Sequence, residues 1–226
     1  MVYAKAYAWS SSGFGSQFAN PSTSVGGTGY DVQFSPSGSE IVFARSASPC
    51  VSAYAWSGSG FGSKFSDPST VIASGIGYGI AFTPSGNAIA IAGSVTPFIH
   101  AYAWSGSGFG SKFSDPSTLP TGIANKVVFS PDGTAVAVAH DVSPFVSVYA
   151  WSGSGFGSKF SNPSTLPANN CDGVAFSPDG TALAVAHATS PYVTAYPWSG
   201  SGFGTKFSNP ATLPTGNGLS VAFTSV

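Results

Sequence analysis

Charge is scarce in this chain. Only 7% of its 226 residues are Asp, Glu, Lys or Arg, against roughly 25% in ordinary soluble domains. The 7 basic and 8 acidic residues nearly cancel to a net charge of −1, and there is no basic run. The electrostatic footprint of nucleic-acid binding is therefore missing, and no nucleic-acid partner is expected. Two cysteines, Cys50 and Cys171, are too few for a disulfide framework. They fall at different points of the repeat described below, in units that are not neighbours. A bridge needs Cα atoms within about 7 Å, so two thiols are expected. No apolar stretch approaches the ~20 residues of a membrane-crossing helix, so no membrane insertion is expected. Residues 1–9 lack the apolar core of a secretory leader. That predicts no signal peptide, and leaves three options: a cytoplasmic protein, one carried on a virion or surface particle, or one whose leader has been cut away.

What the chain has in quantity is 29 Gly, 17 Pro and 42% apolar residues, arranged in a repeat. Ala-Tyr-Ala-Trp-Ser-Gly-Ser-Gly-Phe-Gly-Ser-Lys-Phe at 53–65 returns at 101–113, 148–160 and 195–207 with small changes, and in rougher form at 6–18. Trp9, Trp56, Trp104, Trp151 and Trp198 mark steps of 47, 48, 47 and 47 residues. A fixed period of this size signals a propeller, a solenoid or an array.

One unit, 173–212, shows the content. Gly173–Phe176 is a strand ending in the turn Ser177-Pro-Asp-Gly180, where Pro178 pre-sets φ and Gly180 takes the strained place. Residues 181–187 alternate small and large, giving a strand with two unlike buried faces. Ala182, Ala184 and Ala186 let one neighbour come close, while Leu183 and Val185 fill the other side. Tyr192–Trp198 is a third strand, Ser199–Gly202 a hairpin loop and Phe203–Pro210 a short fourth strand. No window carries a helical period. Four antiparallel strands in about 47 residues make one propeller blade.

The strands are a to d from inside to outside. Strands a, c and d occur five times and strand b four times. The chain starts at a c strand (Tyr3–Trp9) and stops at an a strand (Leu219–Val226). The expected fold is an all-β, five-bladed propeller, a single domain over 1–226. Its blades are 25–72, 73–120, 121–167 and 168–216, and a closing blade is built from 1–24 plus 217–226. That closing blade lacks its b strand. The gap stays as a narrowed three-stranded blade or takes a strand from another chain.

Phe-Ser-Pro-Asp-Gly followed by an alternating Ala/Val strand, at 129–139 and 176–186, resembles the WD-repeat and YVTN-type propeller blades. The Trp ending the third strand matches the WD tryptophan, and Tyr192-Val193-Thr194 echoes the YVT of the second family. Ser, not Asp, follows every Trp, and no Gly-His pair precedes strand a. The buried Asp-His-Ser-Trp network of WD repeats is therefore not expected. Propellers this regular, charge-poor and Ser/Gly-rich look like those on bacteriophage particles or microbial surfaces. The resemblance carries the fold and leaves the function open.

Among motifs with possible chemistry, the Gly-Ser-Gly-Phe-Gly runs join two strands and read as hairpins, because a dinucleotide cradle needs a strand followed by a helix. The tryptophans either pack between blades, with their N–H groups bonded to backbone, or offer platforms for sugars. Lys64, Lys112, Lys159 and Lys206 guard the exposed edge strand against pairing, or touch a ligand. His140 and His187 lack a third metal ligand. Asp132 and Asp179 form turns. No metal, cofactor or catalytic group is expected.

Comparison of the copies locates the variation. The a–b turns and c–d hairpins barely change, while the d–a and b–c connections differ from unit to unit. In an up-and-down blade these two lie at the same end. Tyr30, Asp31, Arg45, Tyr78, Asn125, Lys126, His140, Asp141, Asp172 and His187 supply that end's distinctive side chains. Variable loops on a rigid scaffold are where binding usually sits; unselected drift is the bland alternative. The expected function is a non-enzymatic adhesion or recognition module taking a glycan or protein there. The alternative is a structural or decoration subunit that assembles into a homo-oligomer or larger particle. A propeller hydrolase such as a lactonase is a third option.

Overall fold

The computed structural model describes residues 4–70 and 75–224. It opens with a two-stranded hairpin, β1 (Tyr7–Ser10) and β2 (Gly13–Gln17). Four four-stranded antiparallel sheets follow. The first is β3 (Gly29–Phe34), β4 (Glu40–Arg45), β5 (Val51–Ser57) and β6 (Gly60–Lys64). The second is β7 (Gly77–Phe82), β8 (Ala88–Gly93), β9 (Ile99–Ser105) and β10 (Gly108–Lys112). The third is β11 (Ala124–Phe129), β12 (Ala135–His140), β13 (Val146–Ser152) and β14 (Gly155–Lys159). The fourth is β15 (Cys171–Phe176), β16 (Ala182–His187), β17 (Val193–Ser199) and β18 (Gly202–Phe203). The inner strands neighbour one another in turn, β3 with β7, β7 with β11 and β11 with β15.

The alternating b strands do what their composition dictates. Ala88, Ala90 and Ala92 of β8 present a flat face on which Val127, Val136, Val138, Tyr149 and Trp151 of the third sheet pack. The third sheet's Ala135, Ala137 and Ala139 receive Val174, Leu183, Val185, Tyr196 and Trp198 of the fourth in the same way. Small residues on one face and branched or aromatic residues on the other let sheets stack without voids. Each interface is capped by an aromatic contact. Phe18, Phe65, Phe113 and Phe160, each after an outer strand, meet Trp56, Trp104, Trp151 and Trp198 of the next sheet edge to face, at 5.3, 6.0, 5.3 and 5.1 Å between centroids. These four tryptophans thus pack between sheets, while Trp9 does not. Their N–H groups are not all bonded as expected, because the Nε1 of Trp104 is buried with no partner.

Among the described residues β1 and β2 pair only with each other, and the third strand expected of the closing blade is not seen beside them. Tyr3, Ser225 and Val226 lie outside the described residues. Residues 204–224 contain no strand, so the predicted inner strand at Leu219–Val226 is not observed over its described part, and the short fourth strand expected over Phe203–Pro210 is reduced to Gly202–Phe203. The last segment instead follows the fourth sheet. Gly218 N–H donates to His187 O at 3.1 Å, and Ser220 Cα lies 2.8 Å from where a Cβ on Gly173 would be. It runs beside the inner strand of the fourth sheet, and among the described residues it is not paired into a ladder.

Candidate functional site

Each inner strand carries the same irregularity. The register shifts between Gly29 and Asp31, Gly77 and Gly79, Ala124 and Lys126, and Cys171 and Gly173. The residue skipped is Tyr30, Tyr78, Asn125 or Asp172. A bulge leaves one residue out of the ladder and re-aims its side chain. Four bulges at one level therefore form a tier at the inner end of the sheets, and its residues are among those that vary between copies.

The tier is linked across sheets. Tyr30, 46% exposed, meets Tyr78 edge to face at 5.0 Å. Burial raises the Tyr78 hydroxyl above its usual value, with smaller contributions from Tyr30 and the charge of Asp141. Asn125 Nδ2 donates to Cys171 O at 3.0 Å and to Asp172 Oδ1 at 3.3 Å. Burial pushes the Asp172 carboxyl above the ordinary carboxylate range. One residue further along, Asp31 Oδ2 accepts the Ile80 N–H at 2.9 Å and the Lys126 ammonium at 2.6 Å. This bond spans from the first sheet to the third, over Gly79. A side chain at Gly79 would run into Lys126 Cα at 2.9 Å.

Six of the ten expected site residues, Tyr30, Asp31, Tyr78, Asn125, Lys126 and Asp172, thus come together, with half-buried Asp141 close enough for its charge to act on Tyr78. Arg45, His140 and His187 do not join them, which corrects their placement in exposed connections. They are the last residues of β4, β12 and β16 and are buried. Arg45 Nε donates to Val51 O at 3.4 Å. His140 Nε2 pairs with Ser147 Oγ at 3.0 Å, and His187 Nε2 with Thr194 Oγ1 at 2.9 Å. Burial holds His140 down at about 4 and lowers His187 as well. The second sheet exchanges the two roles, with Gly93 ending the b strand and His100 standing where the others have Ser or Thr. One large basic side chain thus fills the slot in each sheet.

The four b–c connections vary in side chains but not in backbone. Each holds a cis X-Pro bond, at Pro49, Pro97, Pro144 and Pro191, followed by a residue at φ between 66° and 69°. Leu219 was not picked out from the sequence. It aligns with Tyr30, Tyr78, Asn125 and Asp172 in the repeat and is exposed. The edge lysines have local partners, Lys64 with Asp67, Lys112 with Asp115, Lys159 with Asn162 and Lys206 with Asn209. Cys50 Sγ donates to Gly75 O and Cys171 Sγ to Asn169 O, at 3.0 and 3.6 Å, in the first and fourth sheets. Among the described residues no three of His, Cys, Asp and Glu converge.

With that geometry in place, the solved structures can be compared. A candidate 6-phosphogluconolactonase from Bacteroides fragilis superposes with a TM-score of 0.76 at 10% identity, over 98% of this chain and 67% of its own. A Lactobacillus plantarum protein superposes with a TM-score of 0.69 at 16% identity, over 96% and 66%. Hydrazine synthase from Kuenenia stuttgartiensis gives 0.57 at 14% identity, over 77% and 46%. The fold is propeller-like. Identities this low show the fold alone, and the chain spans at most about two thirds of each of these structures' own length. No protein-family model matches the sequence, and no curated protein matches it.

Proposed function

We propose that this protein is a binding module, not an enzyme, and that it recognises a glycan or a protein surface at the inner tier of bulged residues. The observation that carries the reading is the Tyr30–Tyr78 pair, held open at the bulges beside Asp31–Lys126 and Asn125–Asp172. Tyr30, exposed, and Tyr78, half-buried, offer ring faces and hydroxyls at low conformational cost, while carboxylate, amide and ammonium groups bond the hydroxyls of a sugar. The rigid b–c connections and the buried His140 and His187 belong in this reading to the scaffold. A placement on a virion or cell surface fits the charge-poor, hydroxyl-rich composition.

A glycan array, followed by titration of any hit, tests the reading. Saturable binding that weakens about tenfold or more in Tyr30→Ala and Tyr78→Ala is expected, since one well-placed aromatic contributes on that scale. Binding that both variants retain would move the site elsewhere. The second reading, a structural or decoration subunit, is favoured by one observation: aromatic side chains stand exposed at both ends of the row of sheets. The five-bladed ring, whose fifth blade joins β1–β2 to residues 217–224, belongs to these proposals and depends on what those ends meet.

A further inference from the structure

The aromatic contact between sheets occurs four times and leaves one of each half over. Trp9 has its own outer-strand neighbour, Phe14, at 5.1 Å, but neither of the other two rings that surround its counterparts. Trp56, Trp104, Trp151 and Trp198 each meet a Phe from the preceding unit and a Phe from their own inner strand, the latter at 5.3, 5.2, 5.1 and 5.5 Å. The corresponding residues for Trp9 are Phe207 and Phe223, both at the far end of the chain. Trp9 is 72% exposed, Phe207 48% and Phe223 38%, while Trp104, Trp151 and Trp198 are 6% exposed.

The seats match as well. A Cβ on Gly60 or Gly108 would touch the ring of Phe18 or Phe65 at about 3 Å, whereas one on Gly13 would meet nothing within 4 Å. Tyr54, Tyr102 and Tyr196 donate to the carbonyls of Thr23, Thr70 and Thr165, each five residues past such a Phe. Tyr7 is exposed, and Thr212 lies five residues past Phe207. Beside Tyr7 a groove of about 580 Å³ runs between Ala4–Tyr7 and the outward faces of Val32, Phe34, Ile41 and Phe43. There the strands preceding the first sheet would lie.

We infer that the first and last units of this chain are the two halves of a blade interface, and that a second copy occupies them: Phe207 and Phe223 of one molecule seat on Trp9 of the next, in the groove along β3. Among the described residues no strand pairing or backbone hydrogen bond joins 204–224 to 4–18, and the last segment rests on β15. The sheets also follow the course of structures of which they cover 67% and 66%, leaving about a third of each without a counterpart. The contact is head to tail, so it adds copies into a ring or a string according to its rotation.

The test is complementation between two variants of the full chain, followed by sedimentation velocity over a concentration series. Trp9→Ala removes the seat and keeps the plug. Phe207→Ala does the reverse. Both side chains are exposed, and circular dichroism checks that the sheets persist. The wild-type chain should grow in mass with concentration. Each variant alone should associate about 30-fold or more weakly, the effect of losing a central aromatic anchor. An equal mixture should form pairs and nothing larger, because the free plug of one fits the intact seat of the other. A wild-type chain that stays monomeric at every concentration overturns the inference, and shielding of Trp9 from a soluble quencher would then reveal closure within one chain. Association lost in Trp9→Ala but kept in Phe207→Ala overturns it too, since that marks a symmetric contact. So does a mixture that fails to pair.

Discussion

Trp9 and Trp151 have the same neighbours in sequence and opposite surroundings in space. Around Trp151 three phenylalanines, Phe113, Phe129 and Phe156, close a buried cluster. Among the described residues Trp9 keeps a ring contact with Phe14 alone, and Phe14 is exposed. The difference shows that the repeat encodes an interface as much as a sheet. Each unit supplies one apolar face and needs the next unit to cover the other, as expected of quasi-one-dimensional folds.

The sharpest way to break this comparison is to delete the same ring in both places. Trp151→Ala should cost about 3–5 kcal/mol in urea-induced unfolding, the range for emptying a large aromatic site in a core. Trp9→Ala, measured at concentrations too low for association, should cost within about 0.5 kcal/mol. Similar losses would mean that Trp9 is covered in solution.

Acid separates the two regions by another route, because the three histidines lie in the second, third and fourth sheets and none in the hairpin that carries Trp9. Burial keeps His100 and His140 neutral, with folded values of about 4 against 6.5; Lys112 also lowers His100 and Lys159 lowers His140, opposed by Asp115 and Asp141. As pH falls below 6.5 the unfolded chain takes up these protons first, so stability declines until about pH 4. The loss is on the order of 3 kcal/mol per ring when complete. Unfolding midpoints between pH 7 and 4 should fall accordingly and fall less in His100→Leu, whose ring nitrogens have no partner to lose. A flat profile would mean that these rings are hydrated.

The smallest contrast concerns two glycines of nearly equal backbone, Gly13 at φ 104° and Gly108 at φ 107°. Alanine strains both alike. At 108 it also presses on Phe65 Cβ at 3.1 Å, which adds about 1 kcal/mol if Phe65 must shift. Equal midpoints for Gly13→Ala and Gly108→Ala would show that Phe65 gives way freely, or that position 13 is also occupied.

Much of the fold was legible because period 2 and period 47 leave one solution for each strand. The pattern Ala182-Leu-Ala-Val-Ala186 announced both its pairing and the two unlike faces. The turn network was legible only in part. Asp132 and Asp179 accept from Ser130, Thr134, Ser177 and Thr181, as turn formers do. In the first two sheets Glu40 and Asn87 take over that acceptor role from three and two positions further on, which a column-by-column comparison reads as loss. The inner tier was legible as variation and not as geometry. Nothing in Gly29-Tyr-Asp31 signals a bulge, since the skipped residue is defined by the partner strand. Arg45, His140 and His187 were misplaced because a polar residue after an apolar run looks like the start of a loop. Here it still pairs in the ladder and bonds inward.

The sequence by itself determined the strand, the sheet and the surface each sheet offers its neighbour, because these follow from alternation, turn chemistry and repetition within about 47 residues. Only the tertiary structure decided which copies of that surface are covered, which residues leave the ladder at the inner end, and that the last segment lies beside the fourth sheet without pairing to β1. Those outcomes depend on contacts between units far apart in the chain. Such contacts are set by how the sheets curve and where partner strands run out, and identical repeats cannot tell the first unit from the last.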